Sequence, residues 1–148
     1  MSTLNTLIDY FETFADNHLQ IKSFDYESID VVDTKESKIN GTRLFMTWRP
    51  SFWRNGIPTL SFSFFIMDRV DLETTNLRDV QSDSLSIAHD LLSDINNSDP
   101  ETWVATLKES GTSVELFKEK FSSMYAGCIV DIDIILPKGL DSCSIPNE

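Results

Sequence analysis

Residues 57–97 read IPTLSFSFFIMDRVDLETTNLRDVQSDSLSIAHDLLSDINN, and their hydrophobic pattern changes period near residue 70. Before that point, side chains alternate between two faces, one with Leu60, Phe62, Phe64 and Ile66 and the other with Ser61, Ser63, Phe65 and Met67. Alternation over eight residues predicts a long strand. After that point, one helical stripe carries Leu77, Val80, Ser84, Ile87, Ala88, Leu91 and Ile95. This stripe predicts a long amphipathic helix that packs on the strand.

A helix and shorter strands are predicted before this stretch. The helix covers residues 2–17, where Ser2 or Thr3 is placed to cap it and the apolar residues at helical spacing are Leu4, Leu7, Ile8, Phe11 and Phe14. Residues 20–26 and 44–49 have the pattern of strands, and Pro50 is expected to end the second one. Residues 28–33 fit another short strand or a bulge, before a polar loop at residues 34–42.

One strong strand is predicted near the end of the chain. In residues 128–136 one face carries Cys128, Val130, Ile132, Ile134 and Leu136, and the other carries Asp131 and Asp133. Residues 103–107 predict a short strand, and residues 114–121 fit either a strand or a helical turn. We therefore expect a single α+β domain over residues 1–148. Its sheet should be mostly antiparallel, with four to five strands and a long hairpin, packed by an N-terminal helix and one long central helix.

Composition and charge limit the class of protein. The 148 residues are 41% hydrophobic, enough to bury a core, and no apolar run approaches the roughly 20 residues of a membrane span. No signal peptide is recognisable. Cys128 and Cys143 lack metal-like spacing and are expected to be reduced thiols in a cytoplasm. We expect no membrane association.

Acidic residues outnumber basic ones by 24 to 12, which gives a net charge of −12. Sequence-specific binding of nucleic acid needs a basic surface, so this balance argues against it. Three interpretations remain. The acids keep the protein soluble, they line a conduit through which DNA slides without sticking, or they mimic DNA toward another protein.

The segment between the two strands of the expected hairpin is unusual. Residues 50–56, PSFWRNG, hold two adjacent aromatic side chains and an arginine beside an Asn-Gly turn signal. Trp, Phe and Arg are enriched in protein–protein interfaces. We therefore predict a subunit interface at the hairpin tip, formed by Phe52, Trp53, Arg54 and Asn55. In the alternative, Phe52 and Trp53 fold back as a lid on the core.

The chain carries no motif of catalysis or cofactor binding. His18 and His89 have no partner spaced to complete a metal site, and there is neither a Gly-x-Ser-x-Gly motif nor a phosphate-binding glycine loop. The carboxylates of Asp131 and Asp133 fit a divalent cation. A metal-dependent nuclease would also place a lysine on a neighbouring strand, and residues 118–120 match that pattern only loosely. A solvated sheet face explains the pair better. We expect no enzyme activity, no metal and no cofactor.

Three segments suggest a family when they are taken in order. They are residues 64–70 (FFIMDRV) with 76–83 (NLRDVQSD), residues 126–127 (AG) before an alternating strand, and residues 143–146 (CSIP). With the order of elements, they resemble the tail-terminator and tail-completion (neck) proteins of tailed bacteriophages, nearest to those of crAss-like phages. Those proteins tend to have a tryptophan after the late glycine, where this chain has Cys128.

The resemblance implies a virion structural protein, made in the host cytoplasm, that forms a homo-oligomeric ring at the head–tail junction. Such a ring would contact other phage neck proteins, namely portal or adaptor and tail proteins, and DNA would pass through it without specific binding. The residues themselves leave two alternatives open. One is an acidic protein that mimics DNA to inhibit a host nucleic-acid-binding protein, and the other is a metal-dependent hydrolase that uses Asp131 and Asp133.

Overall fold

The fold combines two helices with six strands in the part of the chain that the computed structural model describes. That part is residues 4–28, 41–54, 56–70, 76–97, 106–108, 111–118 and 125–135. The helices are α1 (Leu4–Asn17) and α2 (Leu77–Asn96). The strands are β1 (Ile21–Tyr26), β2 (Thr42–Arg54), β3 (Ile57–Arg69), β4 (Thr106–Leu107), β5 (Ser113–Lys118) and β6 (Tyr125–Ile135). The predicted α+β class is confirmed.

The strands form one sheet in the order β1-β2-β3-β6-β4, and β5 pairs with β6 on the same side as β4. Strand β1 runs parallel to β2, and the other pairings among the described strands are antiparallel. The predicted, mostly antiparallel sheet is therefore confirmed. Strands β2 and β3 pair from Arg43 opposite Met67 to Arg54 opposite Ile57, and we name this pair the β2–β3 ribbon.

Both helices pack on one face of the sheet and enclose the main core with it. The sheet residues of this core are Ile21, Leu44, Met46, Phe62, Phe64, Ile66, Cys128, Val130, Ile132 and Ile134. The helix residues are Leu7, Phe11 and Ala15 from α1 and Ile87, Ala88, Leu91 and Ile95 from α2. The buried Cys128 thiol donates a hydrogen bond to the Ser84 carbonyl oxygen at 3.4 Å, which links β6 to α2. The side chains that were predicted to share one face of β3, of β6 and of α2 therefore share that face in the described residues.

The opposite face of the sheet holds a second buried cluster near the start of β2. Its members are Phe45, Phe65, Met67, Tyr125 and Ile129. Arg43, only 2% exposed, lies beside them, and its guanidinium donates to the Tyr125 hydroxyl at 3.3 Å. The carboxylate of Asp25 is 3.7 Å from the same guanidinium. Because residues 64–67 of β3 are buried on both faces, their sequence is apolar at all four positions.

Strand β2 is longer than the sequence indicates. The prediction that it ends at Pro50, leaving residues 50–56 as a loop, is wrong, since the strand continues to Arg54. Its register against β3 shifts between Arg49 and Phe52. A bulge tolerates proline because the proline residue, which has no N–H, is not required to donate in the ladder there.

Several other predictions have definite outcomes. Residues 114–121, left open between strand and helical turn, contain strand β5. The short strand expected at residues 103–107 is described only at Thr106–Leu107. No helix in the described ranges is long and apolar enough to cross a membrane. Predictions on residues outside those ranges are the helix cap at Ser2 or Thr3, most of the 28–33 strand, most of the 34–42 loop, Asn55, Leu136, and the segment 143–146 with Cys143.

Candidate assembly interface

Exposed aromatic side chains gather at the far end of the β2–β3 ribbon, which we name the ribbon tip and define as residues 48–54 and 56–59. Seven large apolar side chains are exposed in the described part of the chain, and four of them lie at this tip. Their exposed fractions are 51% for Trp48, 49% for Phe52, 60% for Trp53 and 38% for Ile57. Phe52 and Trp53 are therefore not buried in the way that a lid on the core requires.

The pairing of β2 with β3 places these side chains on both faces of the tip. Trp48 lies opposite Phe62 and Trp53 opposite Pro58, so both tryptophans are on the face that carries the helices. The Trp48 ring contacts the ring of Tyr26, with a centroid distance of 5.4 Å. Phe52 lies opposite Thr59 on the other face, where it lines a small depression of about 170 Å³ with Lys108 and Asp133.

The predicted site residues are only partly brought together by the structure. Phe52 and Trp53 lie on the ribbon tip, and the backbone of Arg54 pairs with Ile57 there, whereas Asn55 lies outside the described residues. Two members of the tip were missed. The predicted interface omitted Trp48, which lies in the strand expected at residues 44–49, and Ile57, which begins the stretch 57–97. Their exposure depends on where the helices end over the sheet, which local sequence does not reveal.

Charge is distributed unevenly between the ribbon and the helices. Residues 41–67 contain no aspartate or glutamate, in a chain with 24 of them, and they carry Arg43, Arg49 and Arg54. The two helices carry one arginine, Arg78, and seven exposed carboxylates, which are Asp9, Glu12, Asp16, Asp79, Asp83, Asp90 and Asp94. The ribbon tip and the helical layer are therefore of opposite charge.

A groove of about 370 Å³ runs between α1 and α2. We name it the helix groove, and its lining residues are Tyr10, Thr13, Phe14, Asn17, His18 and Asp94. The ring of Phe14 lies next to the ring of His18, with a centroid distance of 5.5 Å. The groove thus combines apolar surface with polar groups on the acidic side of the molecule.

Two side-chain hydrogen bonds beside this groove join α1, and the residue that follows it, to α2. The backbone N–H of Gln20 donates to His18 Nδ1 at 3.2 Å, so in the neutral ring the proton is on Nε2, which donates to Asp90 at 2.8 Å. The Tyr10 hydroxyl donates to Asp94. His18 therefore has a structural partner, while His89, the second candidate metal ligand, is exposed on α2.

Alkaline pH is expected to weaken the protein through Tyr10. Burial, together with the adjacent Asp94 carboxylate, raises the pKa of Tyr10 above its ordinary value of 10.0. The unfolded chain therefore loses the phenol proton first, so this contribution to stability is complete below about pH 10 and is lost as the pH rises further. Burial also raises the pKa of Cys128 to about 12, which acts in the same direction.

The measurement is urea unfolding at a series of pH values for the wild type and Tyr10→Phe. The variant should start less stable, because it lacks the hydrogen bond to Asp94, and should then lose less stability with rising pH. The same slope in both proteins would show that Tyr10 does not contribute to the alkaline loss.

The predicted acidic pair lies on the sheet face opposite the helices. Ser61 Oγ donates to Asp133 at 2.6 Å, and Ser63 Oγ donates to Asp131 at 2.5 Å, across the pairing of β3 with β6. Both carboxyl groups are partly buried. Within the described ranges there is no group of three or more His, Cys, Asp or Glu side chains placed to hold a metal ion. The serine hydroxyls give these carboxylates a structural role between neighbouring strands.

Comparison with known proteins gives no family assignment. No protein-family model matches the chain, and no curated protein matches it. The features that indicate a function are therefore the ribbon tip, the helix groove and the distribution of charge between them.

Proposed function

We propose that this chain is a structural protein that assembles with copies of itself through the ribbon tip. The observation that carries this proposal is that four of the seven large apolar side chains exposed in the described residues, Trp48, Phe52, Trp53 and Ile57, lie at one end of the sheet. Exposed apolar side chains in one patch are typical of interaction sites, and tryptophan is prominent among residues that contribute most to binding.

The ribbon presents these side chains on two paired strands. Backbone pairing of β2 with β3 continues as far as Arg54 and Ile57, beyond the last aromatic residue. A side chain on a paired strand has less freedom to lose on association than one on a loose loop, so more of the contact energy remains as affinity.

The more specific proposal is a ring at the head–tail junction of a tailed phage, in contact with portal or adaptor and tail proteins. It is supported by the resemblance of residues 64–70 and 76–83 to neck proteins and by the net charge of −12. A passage lined by acidic subunits repels the phosphates of DNA, which lets the genome pass without binding.

Trp53→Ala is expected to weaken self-association by about 2 kcal/mol or more, which is roughly a 30-fold change in the dissociation constant. The side chain is 60% exposed, so the fold of the monomer should be retained. Sedimentation velocity over a range of concentrations gives the association, and circular dichroism reports the fold.

The matched control for this variant is Leu116→Ala. Leu116 is an apolar residue that is 47% exposed on β5, which pairs with β6 at the edge of the sheet away from β2. This variant should assemble as the wild type does. Unchanged association of Trp53→Ala, or its unfolding, would show that the tip is not the assembly surface.

The exposed carboxylates on α1 and α2 favour one further candidate, a DNA mimic that inhibits a host nucleic-acid-binding protein. A mimic acts as a monomer or dimer and places its charges at the spacing of phosphates. A wild-type chain that stays monomeric with and without phage neck proteins would favour this second function over a ring.

A further inference from the structure

The helix groove has the size and chemistry to receive the ribbon tip of another copy. We infer that, on assembly, Trp53 of one copy enters the helix groove of the next copy, and that the positively charged tip meets the carboxylates of the helices. This inference rests on the proposed function, which supplies self-assembly, and adds to it the identity of the partner surface.

The volume and the lining of the groove suit an indole ring. Its volume of about 370 Å³ lies at the small end of the range of roughly 300–1,000 Å³ seen for pockets that take organic groups. Phe14 supplies an apolar wall, while Asn17 and Asp94 supply acceptors for the indole N–H. Tryptophan binds best where its ring is covered and its N–H has a partner.

Charge favours this pairing over contact between two tips. Between residues 41 and 67 the only charged side chains are arginines, Arg49 and Arg54 among them, so two tips brought together would repel each other. The helices carry seven exposed carboxylates against one arginine, and Asp94 lines the groove itself. A tip that meets the helices of another copy therefore meets charge of the opposite sign.

An exposed leucine extends the apolar surface beside the groove. Leu19 follows His18 directly and is 89% exposed, the highest value among the large apolar side chains in the described ranges. The Leu19 carbonyl oxygen accepts a hydrogen bond from Lys22 Nζ at 3.0 Å, which holds the backbone while the side chain points outward. Burial of this side chain on assembly would add to the contact.

A contact between two different surfaces determines how assembly proceeds. Because the tip and the groove are separate patches of one chain, each contact leaves a free tip on one copy and a free groove on the other. Such heterologous contacts continue until the rotation between subunits closes a ring, or else they build a filament.

The test uses two full-length variants, each with one surface blocked. Trp53→Ala removes the inserted ring, and Thr13→Trp fills the groove from an exposed position on α1. Each variant alone should remain a monomer of 16.9 kDa in native mass spectrometry. Their mixture should give a one-to-one complex and nothing larger, since one intact tip and one intact groove are available.

The control is Asn5→Trp, which adds the same side chain at an exposed position of α1 that does not line the groove. It should assemble as the wild type does. Wild-type assembly by Thr13→Trp, or a mixture without the one-to-one complex, would overturn the groove as the partner surface, while the proposed function would stand as long as Trp53→Ala fails to assemble. Normal assembly of Trp53→Ala, or a wild type that remains monomeric, would overturn both.

Discussion

Gly127→Ala is expected to destabilise the protein by about 3 kcal/mol or more, a large share of the roughly 5–15 kcal/mol of a typical domain. Gly127 lies in β6 with a φ of +154°, opposite Met67 of β3 and Phe117 of β5. A Cβ atom there would stand 1.9 Å from the Ile66 carbonyl oxygen and 2.9 Å from Met67 Cα. Both atoms belong to the backbone of β3, which β2 holds from its other side.

Urea unfolding followed by circular dichroism measures this loss, and Gly56→Ala is the control. Gly56 also has a positive φ, +75°, but among the described residues no atom lies within 4 Å of a Cβ built on it. It should cost about 1–2 kcal/mol, the usual penalty of a left-handed backbone for a residue with a side chain. Equal losses in the two variants would mean that the contact with β3 is not what excludes a side chain at Gly127.

Phe64→Ala is expected to cost about 3–5 kcal/mol, because it removes a fully buried ring from a closely packed core. Phe64 is 0% exposed on the central strand, and its ring centroid is 4.7 Å from that of Phe11 on α1. The loss of the ring therefore weakens the contact between the sheet and the N-terminal helix. Equilibrium unfolding in urea gives the loss, and an unchanged slope with denaturant indicates that only stability has changed.

The same substitution at the ribbon tip gives a matched control. Phe52 is 49% exposed, so Phe52→Ala should cost about 1 kcal/mol or less in the folded monomer. Its effect should appear in the association measurement instead. If Phe52→Ala destabilises the monomer as much as Phe64→Ala does, Phe52 belongs to the core and the tip is not an interface.

The elements with strong periodicity were predictable from the sequence. Strand β3 and helix α2 place in the main core the residues that their patterns group together, because alternate residues of a strand share a face and residues about 3.6 apart share one side of a helix. Strand β6 likewise places Asp131 and Asp133 on the face away from the helices. Local patterns of this kind contain the information about which side of an element is buried.

The arrangement of the strands was not predictable in the same way. The parallel pairing of β1 with β2, and the position of β6 between β3 and the pair β4 and β5, involve contacts that are distant in the chain. Hydrophobic periodicity within one strand does not indicate which strands become its neighbours. The end of β2 was misjudged because Pro50 normally ends a strand, whereas a bulge accommodates it here.

The candidate site was predictable only in part. The composition of residues 50–56 indicated an interface, since adjacent aromatic residues and an arginine are rare in a solvated turn. No pattern in the sequence indicated the helix groove, because its walls include Tyr10 and Asp94, which are 84 residues apart. A groove between two helices exists only after the helices have packed.

We propose that the chain assembles through the ribbon tip, and the mass of the purified wild-type protein is the simplest test of this claim. Native mass spectrometry at increasing concentration, alone and with phage neck proteins, should detect a closed oligomer whose mass is a whole multiple of 16.9 kDa. Trp53→Ala, measured beside it, should give the monomer. A wild-type protein that is monomeric under every condition, or a Trp53→Ala variant that assembles equally well, would contradict the claim.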